Sequence, residues 1–244
     1  MNKGIYRIAA GVGAVVILVS SCTVQASMVT TNGTPAAVAT DNIANWPAAP
    51  AVTSETAVLM DADTGAVLYD KGMDDYRYPA SITKIMTAML ALKYGNMDDT
   101  VTISQENVTL ESGSQVAGFQ AGDQVTMDQL LHCLLVYSAN DAASAIAEHV
   151  GGTTDKFVEM MNSFAAELGC TGTHFTNPHG LQDENHYTTP YDIYLMLNEA
   201  FTYPEFTEIT EMPSYTVTYN GADGTEHSTT LTATDHYLTG EAAA

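Results

Sequence analysis

Residues 79–95 read PASITKIMTAMLALKYG and place a cation among apolar neighbours. Ile82, Ile85, Met86, Met89, Leu90 and Leu92 recur at three-and-four spacing, which predicts an amphipathic helix that Gly95 stops. Lys84 is one of only seven Lys and Arg residues in the chain of 244, and it lies three positions after Ser81. That spacing puts the two side chains on one helix face, one turn apart. A serine hydroxyl needs a nearby base to act as a nucleophile at neutral pH, and a lysine amine can be that base when burial depresses its pKa. Ser81 follows a Tyr-Pro-Ala lead-in, so its N–H lies near the positive end of the helix dipole. Alone, Ser-x-x-Lys is a common pattern whose ordinary reading is a serine cap and a surface lysine. Ile85, Met86 and Ala88 crowd the same turn, and they argue for a desolvated amine.

On the N-terminal side, ETAVLMDADTGAVLYD (55–70) holds two short apolar runs around a turn at Asp61 to Gly65, which predicts a β-hairpin. On the C-terminal side, residues from about Thr100 to Gln124 read as a polar, β-rich excursion. MDQLLHCLLVY (127–137) is an apolar helix running directly into Ser138-Ala139-Asn140-Asp141. Asp141 is expected to cap the following helix, whose small residues permit close packing before Gly151 and Gly152 end it. A polar turn satisfying helix-end carbonyls is the ordinary reading of Ser138 and Asn140. Further helices are expected over Thr154 to Leu168 and Pro190 to Tyr203. Strands are expected over Ser214 to Tyr219 and near Thr229 to Thr232. Hairpin, helices, then strands predict a mixed α/β (α+β) fold in one large domain.

Residues 1–22 read as an export signal, with Lys3 and Arg7 preceding an apolar segment from Ile8 to Val19 that is set apart from the fold. Val19-Ser20-Ser21-Cys22 matches a bacterial lipobox with Cys22 as the lipidated residue, while Val24-Gln25-Ala26 offers an ordinary cleavage site. The protein is accordingly expected outside the cytoplasm, held to the membrane through a lipid or secreted. Residues 23–52, rich in Ala, Thr, Ser and Pro, read as a flexible linker, and 53–244 as the folded domain. A formal net charge of −22 excludes a nucleic-acid partner, because phosphate binding needs clustered Lys and Arg. Cys133 and Cys170 read either as a disulfide or as two buried thiols.

PASITK together with SAND resembles the penicillin-binding proteins and serine β-lactamases, whose signature pairs Ser-x-x-Lys with Ser-x-Asn. The likeness narrows to the D-alanyl-D-alanine carboxypeptidases, peptidase family S11, on LMDADTGAVLYDKGMDDYRYPASITKIMTAMLAL, LLHCLLVYSANDAASAIAEHVGG and FVEMMNSFAAELGCTGTHFTNPHGLQDENHYTTPYDIYLM. This resemblance implies a β-lactamase/transpeptidase-like fold and no cofactor. Ser81 would be the acylated nucleophile and Lys84 its base. Ser138 would relay a proton to the leaving D-alanine, and Asn140 would position Lys84 and the substrate amide. The Ser81 N–H would form half of an oxyanion hole. The implied substrate is the peptidoglycan stem pentapeptide, and β-lactams would trap the same serine.

One family motif is missing. The only approach to Lys-Thr-Gly is Leu238-Thr239-Gly240, so the sequence reads as stopping before that strand, with the sheet incomplete on its C-terminal side and weak activity expected. Three other readings compete. A class A β-lactamase needs a glutamate three residues before its Leu-Asn, and Tyr194 stands there before Leu197-Asn198. A zinc peptidase would draw on His174, His179, Asp183 and His186, which fall in one loop without a helical His-Glu-x-x-His. The third reading is a lipoprotein that binds the cell wall without turnover.

Overall fold

In the computed structural model of the protein, residues 14–19 and 52–240 are described, and they divide into two compact units. Cys22 and nearly all of the expected linker lie outside the described residues.

The first unit comprises the described residues up to Pro79 together with 165–174 and 184–199. Its sheet is the antiparallel set β1 (Ala14–Val19), β2 (Thr56–Asp61) and β3 (Val67–Lys71), in that order. The predicted hairpin is present. The Asp61 carboxylate accepts from the N–H groups of Asp63 and Thr64, and Gly65 takes a φ of 70° that L side chains resist. Within the apolar stretch read as an export signal, Ala14–Val19 forms β1 and pairs with β2 from Ala14 opposite Asp61 to Val19 opposite Thr56. An open strand edge pairs readily with an extended apolar segment. Helix α5 (Pro190–Ala200) completes most of this unit's polypeptide, with Ile193, Tyr194 and Met196 buried; it ends three residues before the expected Tyr203. Cys170 is a buried thiol, with burial and then the Asp192 charge pushing its pKa up to about 12.

The second unit comprises 80–164, 175–183 and 200–244. A short 3-10 turn, Ala80–Thr83, leads into α1 (Lys84–Tyr94), which packs on α2 (Met127–Tyr137) and α3 (Asn140–Gly151). Met86, Ala88, Met89, Leu90, Leu130, Leu131, Leu134 and Ile146 are buried in this unit. Helix α2 starts at a capping box: Thr126 accepts from the Gln129 N–H while the Gln129 side chain accepts from the Thr126 N–H. Ala142, Ala143, Ala145 and Ala147 of α3 are buried, the close-packing surface that small residues permit. Helix α4 (Thr154–Glu167) buries Phe157, Met161 and Phe164, and the Lys93 ammonium lies 3.9 Å from the Phe164 ring centre. Cys133 is a second buried thiol, its pKa raised by burial first and by the Asp141 charge second.

The sheet of this unit orders β4 (Thr100–Thr102), β5 (Gln124–Thr126), β6 (Ser214–Asn220) and β7 (Glu226–Thr232), all antiparallel neighbours. The stretch expected to be β-rich is strand only at its two ends, β4 and the start of β5, with turns and loop between them. Helix α6 (Pro204–Thr210), not expected from the sequence, opens on a proline; at the first helical position proline lacks only an N–H that would be unpaired anyway. Leu238 and Thr239 lie in the single helical turn α7 (His236–Thr239), not in a strand. Among the described residues no helix is long and apolar enough to cross a membrane.

Candidate active site

Ser81 is exposed, while Lys84 one turn later is only 3 % exposed. The Lys84 Nζ lies 3.1 Å from Ser81 Oγ and donates a hydrogen bond of 2.8 Å to the His179 carbonyl. Burial alone brings the Lys84 pKa from 10.5 down to about 7. An amine in that state holds a lone pair at neutral pH, within reach of a hydroxyl that faces solvent. An exposed nucleophile beside a dry base is the arrangement that serine activation requires.

The backbone around these residues is unusual. Among the described residues, Ala80 (φ 48°) and Ser138 (φ 62°) are the only non-glycine residues with positive φ. One immediately precedes Ser81, and the other ends α2 at the turn into α3. Each costs on the order of 1–2 kcal/mol, and backbone strain of this kind concentrates at functional sites. Neither position is a glycine, so the sequence carries no marker for either.

Ser138 is half-buried and Asn140 is 6 % exposed at the first position of α3. Both belong to the same unit as Ser81 and Lys84, on the helix pair that packs against α1. The hydrogen bonds of the Lys84 amine run to Ser81 and His179 and not to Asn140. Asn140 is tied in through its backbone N–H, which donates to the Gln115 carbonyl at 2.8 Å.

Asp141 is not the residue that precedes α3; Ala139 is, and it makes no side-chain cap. From inside the first turn the Asp141 carboxylate accepts from the helix-end N–H of Ala142 at 2.9 Å and also from the N–H groups of Ala117, Gly118 and Phe119 at 2.9, 3.0 and 3.2 Å. A buried carboxylate is stabilised by several converging donors. The 115–119 loop is thereby tied to the Ser138–Asn140 turn. Asp141→Ala orphans those donors and is expected to cost about 2–4 kcal/mol; urea unfolding measures the loss, and limited proteolysis should then cut within 115–119.

The loop carrying His179 is folded on itself and seated on the head of α1. The Asn177 side chain accepts from Gly180 N–H at 2.7 Å and donates to the Leu181 carbonyl, folding the turn on itself. Thr87 Oγ1 donates to the Pro178 carbonyl at 2.6 Å. Gly180 has φ 88°, and a Cβ there would overlap the Ala80 carbonyl oxygen and lie 2.9 Å from Thr83 Oγ1. Gly180→Ala is expected to lose about 2–4 kcal/mol through strain and overlap. An unchanged urea midpoint would contradict this seating.

His179, singled out for zinc, contributes a backbone carbonyl, and its Nδ1 accepts from Leu181 N–H at 3.2 Å. Among the described residues no three His, Cys, Asp or Glu side chains form a cluster suited to a metal ion. The Lys84–His179 and Thr87–Pro178 contacts were beyond reach of the sequence, since a backbone carbonyl accepts whatever its side chain.

The chain is 40% identical over 162 residues to the D-alanyl-D-alanine carboxypeptidase DacF of Bacillus subtilis, covering 64% of this chain and 41% of that protein. It is 33% identical over 196 residues to DacD of Salmonella typhimurium, covering 76% and 50%. The chain thus spans half or less of the length of these curated relatives. Among solved structures, the Streptomyces K15 DD-transpeptidase superposes with a TM-score of 0.74 at 29% identity, covering 80% of this chain and 78% of that one. A D-alanyl-D-alanine carboxypeptidase from Mycobacterium tuberculosis gives a TM-score of 0.71 at 30% identity, covering 80% and 72%. Residues 43–242 match the family described as Peptidase_S11, D-alanyl-D-alanine carboxypeptidase, and the chain belongs to that family.

Proposed function

We propose that this protein carries out serine acyl transfer on D-alanyl-D-alanine termini. The observation that carries the reading is the exposed Ser81 hydroxyl 3.1 Å from a buried amine held near neutrality. In the first step Lys84 takes the Ser81 proton as Oγ attacks the carbonyl of the penultimate D-alanine. The Ser81 N–H stabilises the resulting oxyanion, Ser138 passes a proton to the departing D-alanine, and Asn140 orients the substrate amide. Water then hydrolyses the acyl-serine. The substrate is the peptidoglycan stem pentapeptide, and a β-lactam acylates the same Oγ by ring opening.

The site of action is the bacterial cell envelope, outside the cytoplasm. Residues 1–22 serve as the export signal, Cys22 is the lipidation point that anchors the protein to the membrane, and residues 23–52 form the tether. The carboxypeptidase names of the curated relatives support the reaction, and the acidic composition supports a soluble domain without nucleic-acid partners.

A second reading is a cell-wall-binding lipoprotein without turnover. Incubation of residues 23–244 with a fluorescent penicillin and, separately, with diacetyl-Lys-D-Ala-D-Ala separates the two. A covalent adduct mapped to Ser81, with release of D-alanine from the peptide, is expected. No adduct at any concentration would favour the binder.

A further inference from the structure

Thr87 has no part in the proposed chemistry, yet it is fully buried on α1, one turn beyond Lys84, and its hydroxyl spans 91 residues of sequence to reach the Pro178 carbonyl. The next carbonyl along the chain, that of His179, is the one that accepts from Lys84. Two adjacent carbonyls of one turn are thus gripped by two side chains three positions apart on one helix face. Pro178 is buried as well, and the Asn177 and Gly180 contacts leave the turn little room to shift. We infer that Thr87 is a positioning residue for acyl transfer: its hydroxyl clamps the 177–181 turn onto α1, so that the His179 carbonyl holds the Lys84 amine and the turn keeps water from it. This rests on the reading of Lys84 as the base of Ser81.

The hydroxyl is separable from the side chain's bulk. Thr87→Val keeps the volume but leaves the Pro178 carbonyl unsatisfied, whereas Thr87→Ser keeps the hydroxyl and removes only a methyl group. Two readouts apply to the full chain of the wild type and both variants. In the first, amine reactivity toward an N-hydroxysuccinimide acetate is followed by peptide mass spectrometry. Lys84 is expected to acetylate about tenfold faster or more in Thr87→Val and at the wild-type rate in Thr87→Ser, with Lys93 as an unchanged internal standard. In the second, acylation of Ser81 by a fluorescent penicillin should fall about 10- to 100-fold in Thr87→Val, through the acylation rate constant rather than the affinity, and be restored in Thr87→Ser. Melting temperatures are recorded alongside. Equal Lys84 acetylation in all three proteins overturns the inference, and so does a loss that follows melting temperature rather than the hydroxyl. If the wild type takes up no penicillin while Lys84 protection still depends on the hydroxyl, the clamp stands and the acyl-transfer reading falls.

Discussion

Ser81→Ala is expected to abolish covalent labelling by penicillin, leaving no adduct on the intact protein by mass spectrometry and no fluorescent band after denaturation. The effect is total because acylation forms a bond to Oγ, and removing that atom removes the acceptor. Other hydroxyls near the head of α1 do not replace it. Thr83 and Thr87 are buried, Thr87 Oγ1 is engaged with the Pro178 carbonyl, and neither lies beside the Lys84 lone pair as Ser81 Oγ does. Folding should be almost untouched, because Ser81 is exposed in a 3-10 turn and alanine fits that backbone. Identical circular dichroism and melting for the two proteins would show that loss of label reflects chemistry. A persistent adduct in Ser81→Ala, or one mapping to another residue in the wild type, would sink the assignment.

The parts of this site differ in how legible they were. The Ser81–Lys84 pair follows from helix periodicity, since three-residue spacing leaves the two side chains nowhere else to be, and burial of the amine followed from the apolar residues of the same turn. The β2–β3 hairpin was readable because Asp61 and Gly65 are turn residues for local reasons. Contacts made across the sequence were not readable. Asp141 looked like a helix cap because caps are local, and besides its local bond to Ala142 N–H it gathers three donors that sit 22 to 24 residues away. The Thr87 hydroxyl and the His179 carbonyl left no trace either, one being an ordinary helix residue and the other a backbone group. Helix α6 was missed because Tyr203-Pro204 signals a stop and a start equally, and Glu205 just inside the first turn was the signal that favours a start.

Lys84 yields the second large effect, and it pulls activity and stability in opposite directions. Acylation needs the neutral amine, so the rate of penicillin acylation should rise with pH through about 7 and level off above it. Lys84→Arg keeps a cation that does not titrate and should slow acylation by about 10²–10⁴, the range a general base contributes. The same shift sets how stability depends on pH. In the unfolded chain the amine binds its proton up to pH 10.5, and in the folded protein only up to about 7. Between those values the unfolded state holds the extra proton, so stability rises with pH across that window, and the full penalty is present below pH 7. Moving from 10.5 to about 7 corresponds to roughly 5 kcal/mol against the charged form. Lys84→Met removes that penalty but leaves the His179 carbonyl without its donor, a cost of about 1–3 kcal/mol. The net expectation is a variant more stable than wild type at pH 6 by roughly 2–4 kcal/mol, with the advantage shrinking toward pH 10. Urea unfolding at pH 6, 8 and 10 measures both curves. A Met variant that is less stable at pH 6, or an advantage that stays constant with pH, would mean that the amine is not held neutral by burial, and the proposed base would lose its physical ground.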